Sequence, residues 1–134
     1  MKTLSKEDIL AVADLKTEAV PVPEWGEDVQ VIVRTMTGAD RDAFEQSLVN
    51  VDAEGKRTPA LENMKAKLVA ITVVDEAGNR MFAADEVGHL AGKSAAAINR
   101  IFSAAARLNG IGPAAEVAAA KNSEPAPSGP STSA

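Results

Sequence analysis

Apolar residues along the chain follow two rhythms, and each change of rhythm marks an element. Leu4, Ile9, Val12 and Ala13 open the chain at helical spacing, with Ser5 placed as an N-cap. Asp8 stands three residues after Ser5, a capping-box spacing with Asp in place of Glu, and Leu4 and Ile9 occupy the two staple positions. The pattern predicts a first helix over Lys6–Ala13. The period then falls to two. In "DVQVIVRTM", Val29, Val31 and Val33 share one face and Gln30, Ile32 and Arg34 the other, as in a β-strand. The preceding "TEAVPVPEW" alternates less regularly and carries Pro21 and Pro23. Neither proline can donate to a ladder, so both nitrogens must face an open side, which predicts an edge strand. "WGED" reads as the hairpin turn, with Gly26 free to take positive φ. Trp25, the one tryptophan, then sits at the open end of a two-stranded unit that is marginal by itself. There its ring is expected to act as a partly exposed structural clasp.

The helical period returns at Thr37, an N-cap with Asp40 at the third position. Phe44 and Leu48 form an inward pair four residues apart, and the helix gives way to a polar loop, "NVDAEGKRT". Thr58 as cap and Pro59 in the first turn predict a third helix over 59–73, with Leu61, Met64, Leu68 and Ile71 on one face. Val73 and Val74 either close that helix or begin a short strand. "DEAGN" reads as a turn, "RMF" as a brief extended piece, and "ADEVGHL" as a short helix that Gly92 separates from the next. "KSAAAINRIFSAAARLNG" is the clearest amphipathic stretch: Ile98, Ile101, Phe102, Ala105 and Leu108 fall in one sector. Lys93, Arg100 and Arg107 recur every seven residues on the other side, and Asn109-Gly110 is a C-cap signal. "GPAAEVAAAK" predicts a last short helix from Pro113. "NSEPAPSGPSTSA" has no large apolar group and is expected to be disordered. The reading is an α+β domain over 1–121, mainly helical with one β-hairpin at 17–36, and a disordered Pro/Ser/Ala-rich tail over 122–134.

Composition adjusts this picture in two ways. Hydrophobic residues make up 46% of 134, but alanine supplies much of that and aromatics only 3%. Alanine buries little area, so the core is expected to be modest. The net charge of −5 is uneven: residues 1–54 hold twelve Asp/Glu and five Lys/Arg, whereas 55–134 hold seven and nine. A weakly basic half is not the strong basic patch of a nucleic-acid binder. The asymmetry is compatible with head-to-tail self-association, although a plain solvated surface explains it as well. With no cysteine there is neither a disulfide framework nor a thiolate metal site. No segment approaches the roughly 18 apolar residues of a membrane span, and the N-terminus lacks a signal-peptide core, so a soluble protein is expected.

Candidate chemistry is sparse. His89 is the only histidine, and no nucleophile, zinc, P-loop or dinucleotide motif accompanies it. Asp40 and Asp42 are better placed to serve a helix dipole than to share a reaction. "DEAGNR" lacks the spacing and terminal glutamate of a calcium loop. No catalytic residue, cofactor or metal is expected. The Lys93/Arg100/Arg107 stripe offers a surface for an acidic partner, against the plainer reading of a solvated face. Met36, Met64 and Met81 suit either an adaptable groove or core filling.

Three segments taken in order, Val20–Gly26, Arg34–Glu45 and Leu68–Phe82, resemble the tail assembly chaperones of long-tailed, siphovirus-like phages and prophages. The shared features are a V-x-V-P-E-W-G hairpin, an R-x-M-T-G-x-D-R-D-x-F-E helix start and an L-V-A-x-T-V-V-D-E-x-G-N-x-x-F turn. The resemblance spans roughly residues 15–110. It implies a non-enzymatic protein that binds the tape measure protein, keeps it soluble and helps recruit tail tube subunits. It implies action in the host cytoplasm and absence from the mature virion. Many members occur as a short form and a frameshifted longer form, and the longer form is a route to the tube protein. On this reading no nucleic acid or membrane is a partner, and Lys93, Arg100, Arg107, Met64 and Phe102 are the candidate contacts. Trp25, Gly26, Thr37 and Phe44 are structural. A head–tail connector or minor tail component, and a small regulatory binding domain, are the alternatives.

Overall fold

The computed structural model describes residues 1–111. Helix α1 (Lys6–Ala11) starts as its cap predicts: the Asp8 amide donates to Ser5 Oγ and the Ser5 amide to the Asp8 carboxylate, each at 3.1 Å. It stops short of Ala13 because Val12 is already extended, at ψ 131°, a conformation that suits a β-branched residue. The expected apolar face is not buried; α1 contributes nothing to the core.

Strands β1 (Thr17–Pro21) and β2 (Gln30–Arg34) pair antiparallel, with Thr17 opposite Arg34 and Pro21 opposite Gln30. The Val22 amide donates to the Val29 carbonyl at 3.1 Å and the Thr35 amide to Lys16 at 2.9 Å. Even-numbered positions of β1 therefore aim their amides at β2. Pro21 and Pro23 turn their nitrogens to the open side, as the sequence predicts, and β1 is a sheet edge. The connection is longer than a tight turn. Pro23–Trp25 form a 3₁₀ turn, and Gly26 follows at φ 147°, a conformation that side chains disfavour.

Helix α2 (Gly38–Gln46) carries the second capping box, between Thr37 and Asp40 at 3.0 and 3.2 Å. Phe44 and Leu48 are buried, as expected. The polar stretch that follows is not a loop but a small hairpin of β3 (Val49–Val51) and β4 (Arg57–Pro59). The Asp52 carboxylate makes its turn by accepting the Glu54 and Lys56 amides at 2.9 and 2.8 Å. Thr58 and Pro59 thus belong to a strand, with Pro59 at its end opposite Val49. Helix α3 (Met64–Thr72) begins only after Asn63 turns the chain in the left-handed region, at φ 59°, which asparagine tolerates.

Buried residues line α3 on all sides, with Ala66, Leu68, Val69, Ala70, Ile71 and Thr72 enclosed. That marks a central helix. Its one buried polar group is satisfied, since the Thr72 hydroxyl donates to the Leu68 carbonyl at 2.7 Å. Val73 and Val74 take the strand alternative as β5 (Val73–Val74), which pairs antiparallel with β2. The hairpin is therefore part of a three-stranded sheet in the order β1-β2-β5. Asp75 closes the next turn, its carboxylate accepting the Ala77 and Asn79 amides at 2.9 Å. Helix α4 (Val87–Ala91) follows a 3₁₀ turn over Ala84–Glu86, and α5 (Ala95–Leu108) follows Ser94 as N-cap.

Helix α5 packs on α3 and on β1 and β2. Val20, Val22 and Val33 join Leu68, Ile101 and Phe102 in one apolar cluster. At its end Gly110 takes φ 72°. The Ile111 amide donates to Ala106 at 2.7 Å and the Gly110 amide to Arg107 at 3.2 Å. This Schellman turn returns Ile111 to the core. The fold is α+β, as predicted. The helix expected from Pro113 and the expected tail lie outside the described residues.

Candidate partner-binding groove

The N-terminal ends of helices α3 and α5 flank an open groove of about 730 Å³. The left-handed turn at Asn63 sets Leu61 and Met64 along one wall. The Gly92-Lys93-Ser94 link delivers Ala95 and Ala96 to the groove's floor. Ile98 closes the floor from the core side. Small residues at Ala91, Ala95 and Ala96 keep the floor shallow and let a backbone come close. Lys65 and Lys93 stand on the rim. The Lys65 ammonium is held over the Phe102 ring, 5.3 Å from its centroid, and donates to Asn99 Oδ1 at 2.9 Å. The lining is mostly apolar, with Asn63 and Asn99 among it, and its charged side chains, Lys65 and Lys93, are both cationic.

Of the candidate contacts read from sequence, Met64 and Lys93 line this groove. Phe102 does not reach it: the side chain is 4% exposed and supports Lys65 from beneath. Arg100 and Arg107 lie elsewhere. Arg100 grips Glu24 through two hydrogen bonds, at 3.0 and 2.7 Å, and Arg107 meets Glu18 at 2.6 Å. The hydrogen bond from Arg100 holds the Glu24 carboxyl below its ordinary value, and the same bond raises the guanidinium. These two arginines strap β1 and the Pro23–Trp25 turn onto α5. The basic stripe is thus divided between a groove rim and an internal seam.

Trp25 stands beside that seam, 39% exposed and outside the main apolar cluster. His89 is exposed on α4. Asp40 is committed to its cap and to Arg34, which it meets at 3.4 Å. Among the described residues no cluster of His, Cys, Asp or Glu is arranged to hold a metal ion, and no helix is long and apolar enough to cross a membrane. Sequence reasoning passed over Lys65, whose place on the rim depends on a ring 37 positions along the chain. It read Asn109 only as a helix end. The Asn109 side chain also accepts the Met36 amide at 2.7 Å.

A family model described as "Phage tail assembly chaperone" matches residues 7–123. Among solved structures, that of the bacteriophage HK97 tail assembly chaperone is similar at a TM-score of 0.52 and 23% identity, covering 70% of this chain and 85% of that one. At that identity the likeness is one of fold. No curated protein matches.

Proposed function

The chain belongs to the phage tail assembly chaperone family, and from that premise we propose that it binds the tape measure protein in the α3–α5 groove. The observation that carries the reading is the groove's division into an alanine-rich floor and a lysine rim. A long helical client exposes apolar stripes that aggregate when unpaired. A shallow apolar groove covers one such stripe, and Lys65 and Lys93 select its acidic flanks. Binding of this kind holds the client soluble without chemistry, in the host cytoplasm, until tube subunits are recruited around it. The chaperone is then left out of the mature virion. In this proposal residues 1–121 make up the chaperone domain that performs this task, and residues 122–134 serve as a tail or linker.

Co-expression tests the proposal. The tape measure protein is expected in the soluble fraction with this chain and in the pellet without it. Ala96→Glu, which places a carboxylate in the groove at an exposed position, is expected to return the client to the pellet. A client that is soluble alone, or insoluble in both cases, overturns the assignment and brings a structural tail component forward. Purified particles probed for the chain would then contain it.

A further inference from the structure

The two flanks of β2 are finished differently. On one flank β1 pairs with the whole strand, and the outer edge this leaves carries Pro21 and Pro23. On the other flank β5 pairs with Ile32 and Val33 alone. The Val22 amide reaches the Val29 carbonyl, so odd-numbered residues of β2 turn their backbone groups to β1 and even-numbered ones turn theirs to β5. Ile32 lies opposite Val74, and the next rung toward the start of β2 belongs to Gln30. Continued register would set Glu76 against it, but the chain has already turned. The Asp75 amide donates to the Asn79 carbonyl at 2.8 Å and the Gly78 amide to the Asp75 carbonyl at 2.9 Å. Among the described residues the Gln30 amide and carbonyl are left without a backbone partner.

An open notch of about 480 Å³ occupies the place that β5 vacates. Gln30 lines it. Its lining is apolar at Ile32, Val74, Ala77 and Met81, and its charged side chains, Asp75 and Glu76, are both acidic. Met81 is exposed, and Val74 is buried apart from the main apolar cluster. Glu27 and Asp28 add the same sign just before Val29. Among the described residues none of these four acids has an ion-pair partner. Arg34 and Arg80 donate to the Gly78 and Ala70 carbonyls, at 3.1 and 3.3 Å, and neither lines the notch. An unguarded strand edge is a template for another strand. Apolar lining then selects alternate side chains of the added strand, and the acids select its charge.

We propose that this notch docks a short, extended, basic segment of a partner protein, with apolar side chains at alternate positions. One residue of the segment pairs with Gln30 in the place that Glu76 leaves. Its apolar side chains lie on Ile32, Val74 and Met81, and its Lys or Arg side chains meet Asp75 and Glu76. A single open rung offers one amide and one carbonyl, so the contact is weak, reversible and sensitive to salt. The notch shares no residue with the α3–α5 groove, whose charged side chains are lysines. The two sites therefore attract segments of opposite charge, and the proposal stands whether or not that groove is the client site.

Amide NMR on the isotope-labelled full chain tests the docking, with acetyl-Lys-Val-Lys-Val-Lys-Val-amide as the probe. The Gln30, Ile32 and Ala77 resonances are expected to move saturably, and the affinity to fall as salt rises. The same peptide with Glu in place of Lys is expected to move none of them. A fully N-methylated form of the basic peptide keeps its charges but has no backbone amide to donate, and is expected to bind about tenfold more weakly. Glu76→Lys changes an exposed side chain; it is expected to keep the wild-type melting temperature and to weaken binding about fivefold. The proposal fails if the basic peptide moves no resonance of the notch up to its solubility limit, or moves those of the α3–α5 groove instead. It fails too if the acidic or the N-methylated peptide binds as well, or if a normally melting Glu76→Lys binds like wild type. Should Glu76→Lys melt early, the three peptides on wild type decide alone.

Discussion

Asn109 ends α5, yet its side chain works on the far side of the fold. Its Oδ1 accepts the Met36 amide at 2.7 Å, its Nδ2 donates to Ala105 at 2.9 Å, and Arg41 donates to its carbonyl at 3.3 Å. Asn109→Ala strands a part-buried amide between β2 and α2 and is expected to cost about 1–3 kcal/mol in urea unfolding. The links to Met36 and Arg41 were not legible, because they span 73 and 68 positions. The two capping boxes were legible, because Ser5 with Asp8 and Thr37 with Asp40 signal within three residues. Glu24 adds a pH dependence. Its folded-state pKa is depressed below the ordinary 4.5 by the bond from Arg100. Its contribution is therefore complete above the ordinary value and is lost as pH falls through the lower one. The gap in melting temperature between wild type and Glu24→Gln is expected to be present at neutral pH and to narrow below about pH 4. An equal gap in acid would show that the carboxylate's charge is not what matters. Trp25→Ala is expected to cost about 1–3 kcal/mol, less than the 3–5 of a fully buried aromatic; unchanged stability would remove the clasp role.

At the scale of elements, the sequence revealed periods better than boundaries. The alternation in β2 and the amphipathic pattern of α5 were strong enough to place both. The β3–β4 hairpin was hidden in a polar stretch because its turn depends on one carboxylate at Asp52 rather than on apolar alternation. Thr58-Pro59 imitated a helix start, but Pro59 fits a strand end equally well, where no donor is required. The groove was half legible. Met64 and Lys93 were singled out, while the opening between α3 and α5 depends on where the Asn63 turn delays α3. The edge strand offers a direct test. Pro21→Thr restores an outward amide on β1 while leaving the pairing with β2 intact. The variant is expected to unfold at a similar urea concentration but to scatter more light on warming. Equal scattering would mean that the proline does not guard the edge.

For the whole molecule, the α+β class was legible from the two changes of period. The meeting of β2 with β5 was not, since it rests on two residues joined across some forty positions. The core is thin in aromatics, with Phe44 and Phe102 buried among alanine and branched aliphatics around α3, as the composition implied. Nothing beyond residue 121 is expected to add to it, because that stretch is rich in proline and serine and carries no large apolar side chain. Truncation after Lys121 should therefore leave the melting temperature nearly unchanged in a calorimeter. A fall of many degrees would place those residues against the folded body.

The straps between α5 and the hairpin also set a timetable. Arg100 lies 76 positions after Glu24, and Arg107 lies 89 after Glu18. A ribosome adding about 5–20 residues per second needs about 4–15 s to travel from Glu24 to Arg100. For that interval β1 and β2, paired or not, lack their lid, and Val20, Val22 and Val33 have no α5 to cover them. The prolines on the open edge are already in place when the wait begins, so the guard on β1 is needed most before the protein is finished.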